Sequence, residues 1–284
     1  MSIIALIFDY DDTIVPDSTT QLLKHFNINP NKFWKEEIKN LVEEGYEPVL
    51  AVLKSLLDKI GGNKPFGLLT NKKLRKIGAE IAKTQYSGFE ELIKDSREIV
   101  NKQRDINIEF YVISGGLEEI IRGNKFIIDN FSGIYGCRIT GENKNSELKY
   151  IKRAITFTEK TRYLFEINKG ISQSVSNGDP SAVNQVIDEK NRPIPFENMI
   201  YVGDGLTDIP CFSLIEKNNG MAFGVLHKNR DFSAKLYFYN QVLKTKRVIS
   251  TNSPLYSKDD DLGELIRCAI ASICSKIILN RNKA

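Results

Sequence analysis

Three short clusters hold the side chains that could do chemistry in this 284-residue chain. Asp9-Tyr-Asp11-Asp-Thr13 places two carboxylates two residues apart, directly after the apolar run Ile3 to Phe8. Residues two apart at a strand end point to one side, so one carboxylate can attack an electrophile while the other moves protons. Carboxylates that close repel each other and call for a cation nearby. Gly203-Asp204-Gly-Leu-Thr-Asp208 supplies two more, four residues apart, which share a face if a helical turn begins there. Hard oxygens of this kind suit Mg²⁺, which keeps waters and borrows substrate oxygens. Ser114-Gly-Gly116 adds a hydroxyl and unobstructed backbone N–H groups, an anion cradle when it opens a helix. Each cluster alone has a plainer reading, because Asp caps helices and Ser-Gly marks turns. Their combination decides between the readings.

The elements that must position these clusters are buried strands. Ile3–Phe8, Ile108–Ile113, Met199–Val202 and Met221–Leu226 are short continuous apolar runs, the pattern of strands covered on both faces. Three of them end at a cluster, and helical patterns follow at Leu117–Ile128 and after Asp208. This alternation predicts an α/β fold with a parallel sheet, whose site lies at the carboxyl ends of the strands. Between Val15 and Arg104 the spacing turns helical, with Trp34, Ile38, Leu41 and Val42, then Val49 to Ile60 after Pro48. The expected organisation is a discontinuous core, 1–15 and 105–284, with a helical insertion at 16–104 whose last helix, near Phe89–Lys102, returns the chain to the core. Ile134–Ile155 reads as a hairpin around the polar turn Gly141–Asn145. Leu262–Ile273 reads as an amphipathic helix whose preceding Asp259-Asp-Asp261 serves its amino end rather than a metal.

Composition narrows the function classes. With 41% apolar residues the chain can bury a real core. Forty basic against 36 acidic residues leave a net charge of +4, without the basic stripe that duplex binding needs; nucleic acid is not an expected partner. The basic run within Lys144–Lys169 is read as a solvated face. Cys137, Cys211, Cys268 and Cys274 lack paired CxxC spacing, so neither zinc nor a disulfide framework is expected and reduced thiols in the cytoplasm fit. No membrane partner is expected, since the apolar run at Ile3 is too short for a span.

Taken in order, FDYDDT, VISGG, a lysine and VGDGLTD resemble the four signature motifs of the haloacid dehalogenase (HAD) superfamily. The resemblance spans residues 3 to about 225 in its motifs, the helical insertion being matched in character only. It implies a Rossmann-like parallel sheet with an inserted helical cap, and the VISGG form with the Ser87-Gly88 turn is similar to the phosphoserine phosphatase branch. Carried over, it makes Asp9 a nucleophile and Asp11 the general acid and base. Asp9, Asp204 and the backbone carbonyl of Asp11 then ligate Mg²⁺, with Asp208 supporting the metal site. Thr13 steadies the Asp11 turn, while Ser114 and the N–H of Gly115 hold a phosphoryl oxygen. For the lysine, the resemblance favours Lys169, followed by Gly170 as in that branch, over Lys160. Its role is to neutralise aspartate and phosphate charge during catalysis and to bind the phosphate.

The implied activity is Mg²⁺-dependent hydrolysis of a small phosphorylated metabolite through an aspartyl-phosphate; Asp11 argues for phosphate over halide. The alternatives are a catalytically idle phosphate-binding protein on the same scaffold, or a phosphoserine phosphatase proper. Ser18 stands where phosphoserine phosphatases carry a Glu that reaches the substrate amine, and Pro16 where they often carry an acidic residue. Both departures count against phosphoserine.

Overall fold

A computed structural model of the chain describes residues 1–143, 146–228 and 230–282. The strands are β1 (Ser2–Phe8), β2 (Ile106–Leu117), β3 (Gly133–Thr140), β4 (Tyr150–Arg153), β5 (Met199–Gly203), β6 (Met221–Val225) and β7 (Ser250–Asn252). They form one sheet in the order β4-β3-β2-β1-β5-β6-β7, parallel throughout except for the β3–β4 pair. The architecture is therefore α/β with a mostly parallel central sheet. β1 is buried from Ile4 to Phe8, which is why it reads as an unbroken apolar run. Register then places the chemistry. Phe8 lies opposite Val112 on one side and Val202 on the other, so the chain leaves all three strands at the same edge.

Helices α1 (Ser18–His25), α2 (Pro30–Lys32), α3 (Lys39–Glu43), α4 (Pro48–Asp58), α5 (Asn71–Ile81) and α6 (Phe89–Asn101) fill the segment between β1 and β2, with a π-helical stretch, Phe33–Ile38, joining α2 to α3. Pro30 and Pro48 occupy first helical positions, where a missing N–H costs nothing. Of this segment α6 packs on β2, returning the chain to the core. After β2 come α7 (Glu118–Ile121), α8 (Lys125–Asn130), α9 (Glu159–Asn168), α10 (Gln173–Gly178), α11 (Ile209–Lys217), α12 (Phe232–Phe238) and α13 (Asp261–Arg281). α6 and α13 pack together over β2 and β1, and α9 and α11 pack together against β2, β5 and β6.

One expected element changes. The helix expected over Leu117–Ile128 does not exist as one piece: β2 runs on to Leu117, and α7 stops at Ile121 before Asn124 starts α8 by accepting a bond from the Ile127 N–H at 3.2 Å. Asn competes with the helical backbone for its own hydrogen bonds, so it opens a helix more readily than it continues one. The Ile134–Ile155 hairpin is present as β3 and β4, but Lys144 and Asn145 of its turn lie outside the described residues. The short polar strand β7 carries no apolar pattern and was not anticipated. Among the described residues no helix is long and apolar enough to cross a membrane.

Phe89 ties α6 to the sheet. Its ring meets Phe8 edge-on at 5.1 Å, Tyr256 at 5.5 Å and Phe131 in a stack at 6.2 Å, and it is buried. Phe89→Ala is expected to cost about 3–5 kcal/mol, read as a lowered urea midpoint; a loss under about 1 kcal/mol, the level of a surface change, would mean that α6 is not anchored there.

Candidate active site

Asp9 follows β1 and is 4% exposed. One carboxylate oxygen accepts a bond from the Tyr10 N–H at 2.7 Å, and the other lies 3.1 Å from the Lys160 ammonium. The chain then turns sharply: Asp12 adopts φ +52°, a left-handed conformation that Asp tolerates better than most residues, and the Ile14 N–H bonds back to the Tyr10 carbonyl at 2.8 Å. This turn swings Asp11 alongside Asp9. Asp11 Oδ1 accepts from the Ser18 N–H at 2.7 Å, and its Oδ2 lies 3.5 Å from the Ser114 hydroxyl. Gly116 is needed for that approach, because a Cβ there would sit 2.4 Å from Asp11 Oδ2.

Ser114 lies within β2, not at a helix start as its sequence context suggested. Its hydroxyl oxygen accepts the Gly116 N–H at 2.9 Å, so the backbone orients it. From β5 come Asp204 and Asp208. Both oxygens of Asp208 are already engaged: Oδ1 accepts from Lys160 Nζ and from the Tyr201 hydroxyl, each at 2.7 Å, and Oδ2 accepts from the Gly205 N–H at 3.0 Å. Gly203 makes room, since a Cβ would meet Asp208 Oδ2 at 2.5 Å. Asp208 therefore orients Lys160 and braces the Asp204 loop, and it has little capacity left for a metal. Asp204 instead accepts a bond from the Arg230 guanidinium, which also lies 3.7 Å from Asp12.

The lysine is the principal correction. Lys169, favoured in the sequence reading, donates to the carbonyls of Val183 and Gln185 at 2.6 and 2.8 Å and lies away from the site. Lys160 is 1% exposed and bridges Asp9 and Asp208. The two are separated by the length of α9, and nine residues are two and a half helical turns, roughly 13 Å of rise and opposite faces; only one can reach Asp9. Thr13 is also placed differently in detail. It is buried, but its hydroxyl meets no partner among the described residues, and its contribution runs through its carbonyl, which accepts the Tyr256 hydroxyl at 2.7 Å. Arg230, Tyr201 and His227, whose Nε2 lies 2.8 Å from the Asp12 carbonyl, belong to the site without any motif signal.

Carboxylate oxygens of Asp9, Asp204 and Asp208 lie within 4.8 Å of one another. Burial pushes the Asp9 and Asp204 carboxyls up; Lys160 partly offsets this for Asp9, while Asp9 and Asp208 push Asp204 further up against the pull of Arg230. Asp11 is raised by burial and by the charges of Asp17 and Asp9, against bonds from Ser18. Burial pulls Lys160 down, but Asp208 and Asp9 outweigh it and hold the ammonium charged. Buried hard oxygens short of positive charge fit a small divalent cation held by Asp9 and Asp204, and Arg230 takes part of that cation's place on Asp204.

The raised Asp11 has a measurable consequence. A carboxyl whose folded pKa lies above its ordinary 3.8 contributes its stability fully only below that value, and the contribution is lost as pH rises through the folded pKa. In chelator, Asp11→Asn should therefore melt above the parent protein at about pH 8, with the gap narrowing toward about pH 5. Thermal melts that show the same gap at both pH values would contradict the assignment.

No family model matches the sequence. An uncharacterized protein of Borreliella burgdorferi is 28% identical over 268 residues, covering 85% of this chain and 89% of its own. A HAD family hydrolase from Salmonella enterica serovar Typhi superposes with a TM-score of 0.51 at 14% identity, over 82% of this chain and 64% of that one, so this chain spans less than two-thirds of that protein's length. A phosphoserine phosphatase from T. onnurineus aligns over 96% of this chain and 94% of its own at 13% identity, with a TM-score of 0.45, too low to weigh in the comparison. The sheet and the superposition agree on an HAD-type fold.

Proposed function

We propose that the chain is a Mg²⁺-dependent phosphatase of the HAD superfamily that hydrolyses a small phosphomonoester through a phosphorylated Asp9. The observation that carries this reading is the unequal treatment of two adjacent carboxyls. Asp9 has a buried ammonium at 3.1 Å, which favours the anion needed for attack. Asp11 has no cation beside it and is raised by burial and neighbouring charge, which favours the protonated form. Burial raises both carboxyls; the ammonium beside Asp9 alone suits that side chain to the nucleophile and leaves Asp11 the acid.

In the first step an Asp9 oxygen attacks phosphorus as the ester P–O bond breaks, and Asp11 gives its proton to the departing alkoxide. In the second, Asp11 takes a proton from a water that attacks the phosphoryl group; the Asp9–phosphorus bond breaks and phosphate leaves. Ser114, the Gly115 N–H and Lys160 face the transferring oxygens, with Asp208 and Tyr201 keeping Lys160 aimed. Mg²⁺, held by Asp9, Asp204 and the Asp11 carbonyl, would supply the remaining charge neutralisation. Helices α1–α4 serve as the cap, roofing the cavity and excluding water. No helix among the described residues suits a membrane, and we place the enzyme in the cytoplasm.

Para-nitrophenyl phosphate tests this against the idle phosphate-binding reading, which predicts no turnover. Hydrolysis should require Mg²⁺ and stop in chelator. Its leaving group hardly needs a proton, so Asp11→Asn should release up to one nitrophenolate per site in a burst and then stall, since proton transfer by such a group is worth ~10²–10⁴ in rate. Intact mass should show phosphate retained on Asp9; a slow mutant with neither burst nor phosphoenzyme would refute the covalent route. The lysine correction is tested in the same assay. Lys160→Met should lose ~10²–10³ in kcat while Lys169→Met stays within a few-fold, and the reverse order would restore Lys169.

A further inference from the structure

The cavity over Asp9 has a volume of about 310 Å³, at the small end for ligand pockets. Phosphate takes its inner end, beside Asp9, Ser114 and Gly115. What remains is roofed by Trp34, Pro48, Val49 and Val52, with Phe157 at its side. The indole of Trp34 is held in place, because its N–H donates to the Thr20 hydroxyl at 2.9 Å. The space suits a small alcohol with an apolar body.

Charge narrows the alcohol further. Asp9, Asp11, Asp12, Asp17 and Asp204 line the cavity, and no Lys, Arg or His does so among its described lining residues. The cations at its inner end are already committed, Lys160 to Asp9 and Asp208 and Arg230 to Asp204. Asp17 caps α1 through one oxygen, which accepts the Thr20 N–H, and burial raises its carboxyl against bonds from Thr20 and the charge of Lys24. A carboxylate on the leaving alcohol would meet these acids with nothing to pair with. A positive group would meet the aromatic residues Trp34 and Phe157 and the Asp17 carboxylate.

Resting on the phosphatase reading above, we propose that the substrate is the phosphomonoester of a small cationic alcohol, an amino or quaternary-ammonium alcohol, whose positive end lies between Trp34 and Asp17. Asp17 and Trp34 are then specificity residues, and a lining without a basic side chain among the described residues rejects phosphorylated hydroxy acids.

Three esters of similar size test this in Mg²⁺: phosphocholine, its neutral isostere 3,3-dimethylbutyl phosphate, and phosphoglycolate. The expected kcat/KM order is cationic over neutral by about 10-fold and over anionic by about 100-fold, the range of a desolvated cation–π contact plus a charge pair. Asp17→Asn preserves the helix cap, since Asn caps as well as Asp, and should cut the cationic-to-neutral ratio about 10-fold, chiefly through KM. Val49→Lys should shift preference toward phosphoglycolate. Preference of the parent protein for phosphoglycolate, or an indifferent order, overturns the inference while leaving the phosphatase reading intact. If para-nitrophenyl phosphate is untouched in the same buffer, the phosphatase reading fails and this inference falls with it.

Discussion

The buried Lys160 ammonium, held between Asp9 and Asp208, is the contact on which the rest of the arrangement depends. Taking an ammonium and two carboxylates out of water is expensive, and their attraction repays that cost only when the remaining lone pairs are satisfied too. Here they are: the Tyr10 N–H serves Asp9, and the Tyr201 hydroxyl and Gly205 N–H serve Asp208. Each donor comes from a different turn or strand, so β1, β5 and α9 must all be in place before the charges balance. The glycine at 203 follows from the same requirement, because a side chain there would occupy the space of the Asp208 carboxylate.

From that contact follows the inequality between the carboxyls. Lys160 spends its charge on Asp9 and Asp208, and Arg230 on Asp204, leaving Asp11 with backbone and hydroxyl partners alone. Two side chains of identical chemistry, two residues apart, thus have different partners, one facing a buried ammonium and the other none. The site as a whole stays short of positive charge, which suits both a divalent cation on Asp9 and Asp204 and a positively charged alcohol at the far end of the cavity.

The helices before α5 add what the sheet cannot. The strand ends supply fixed oxygens and a phosphate seat at one edge, whereas α4 and the π-helical stretch supply an apolar roof of Val49, Val52 and Trp34. Reaction chemistry and substrate choice therefore sit on separate elements.

The sequence by itself determined the parallel sheet and the three clusters at its carboxyl edge, because buried strands must be apolar runs and a run that stops at Asp or Ser marks its own end. It placed Asp9, Asp11 and Ser114 at strand ends for the same reason, and the resemblance to the four motifs gathered them into one site; the order and register that make them neighbours belong to the packed sheet. It favoured Lys169 over Lys160 on the following Gly170, because the choice depends on how α9, with one lysine near its start and the other just past its end, is phased against the sheet. Spacing alone did not separate Asp204 from Asp208, and the resemblance gave Asp208 only a supporting part; the donors from Lys160, Tyr201 and Gly205 show how Asp208 is engaged. Arg230 and Trp34 had no local signal at all, because an ordinary loop cation and an ordinary helix aromatic become part of the site only when long-range packing carries them there.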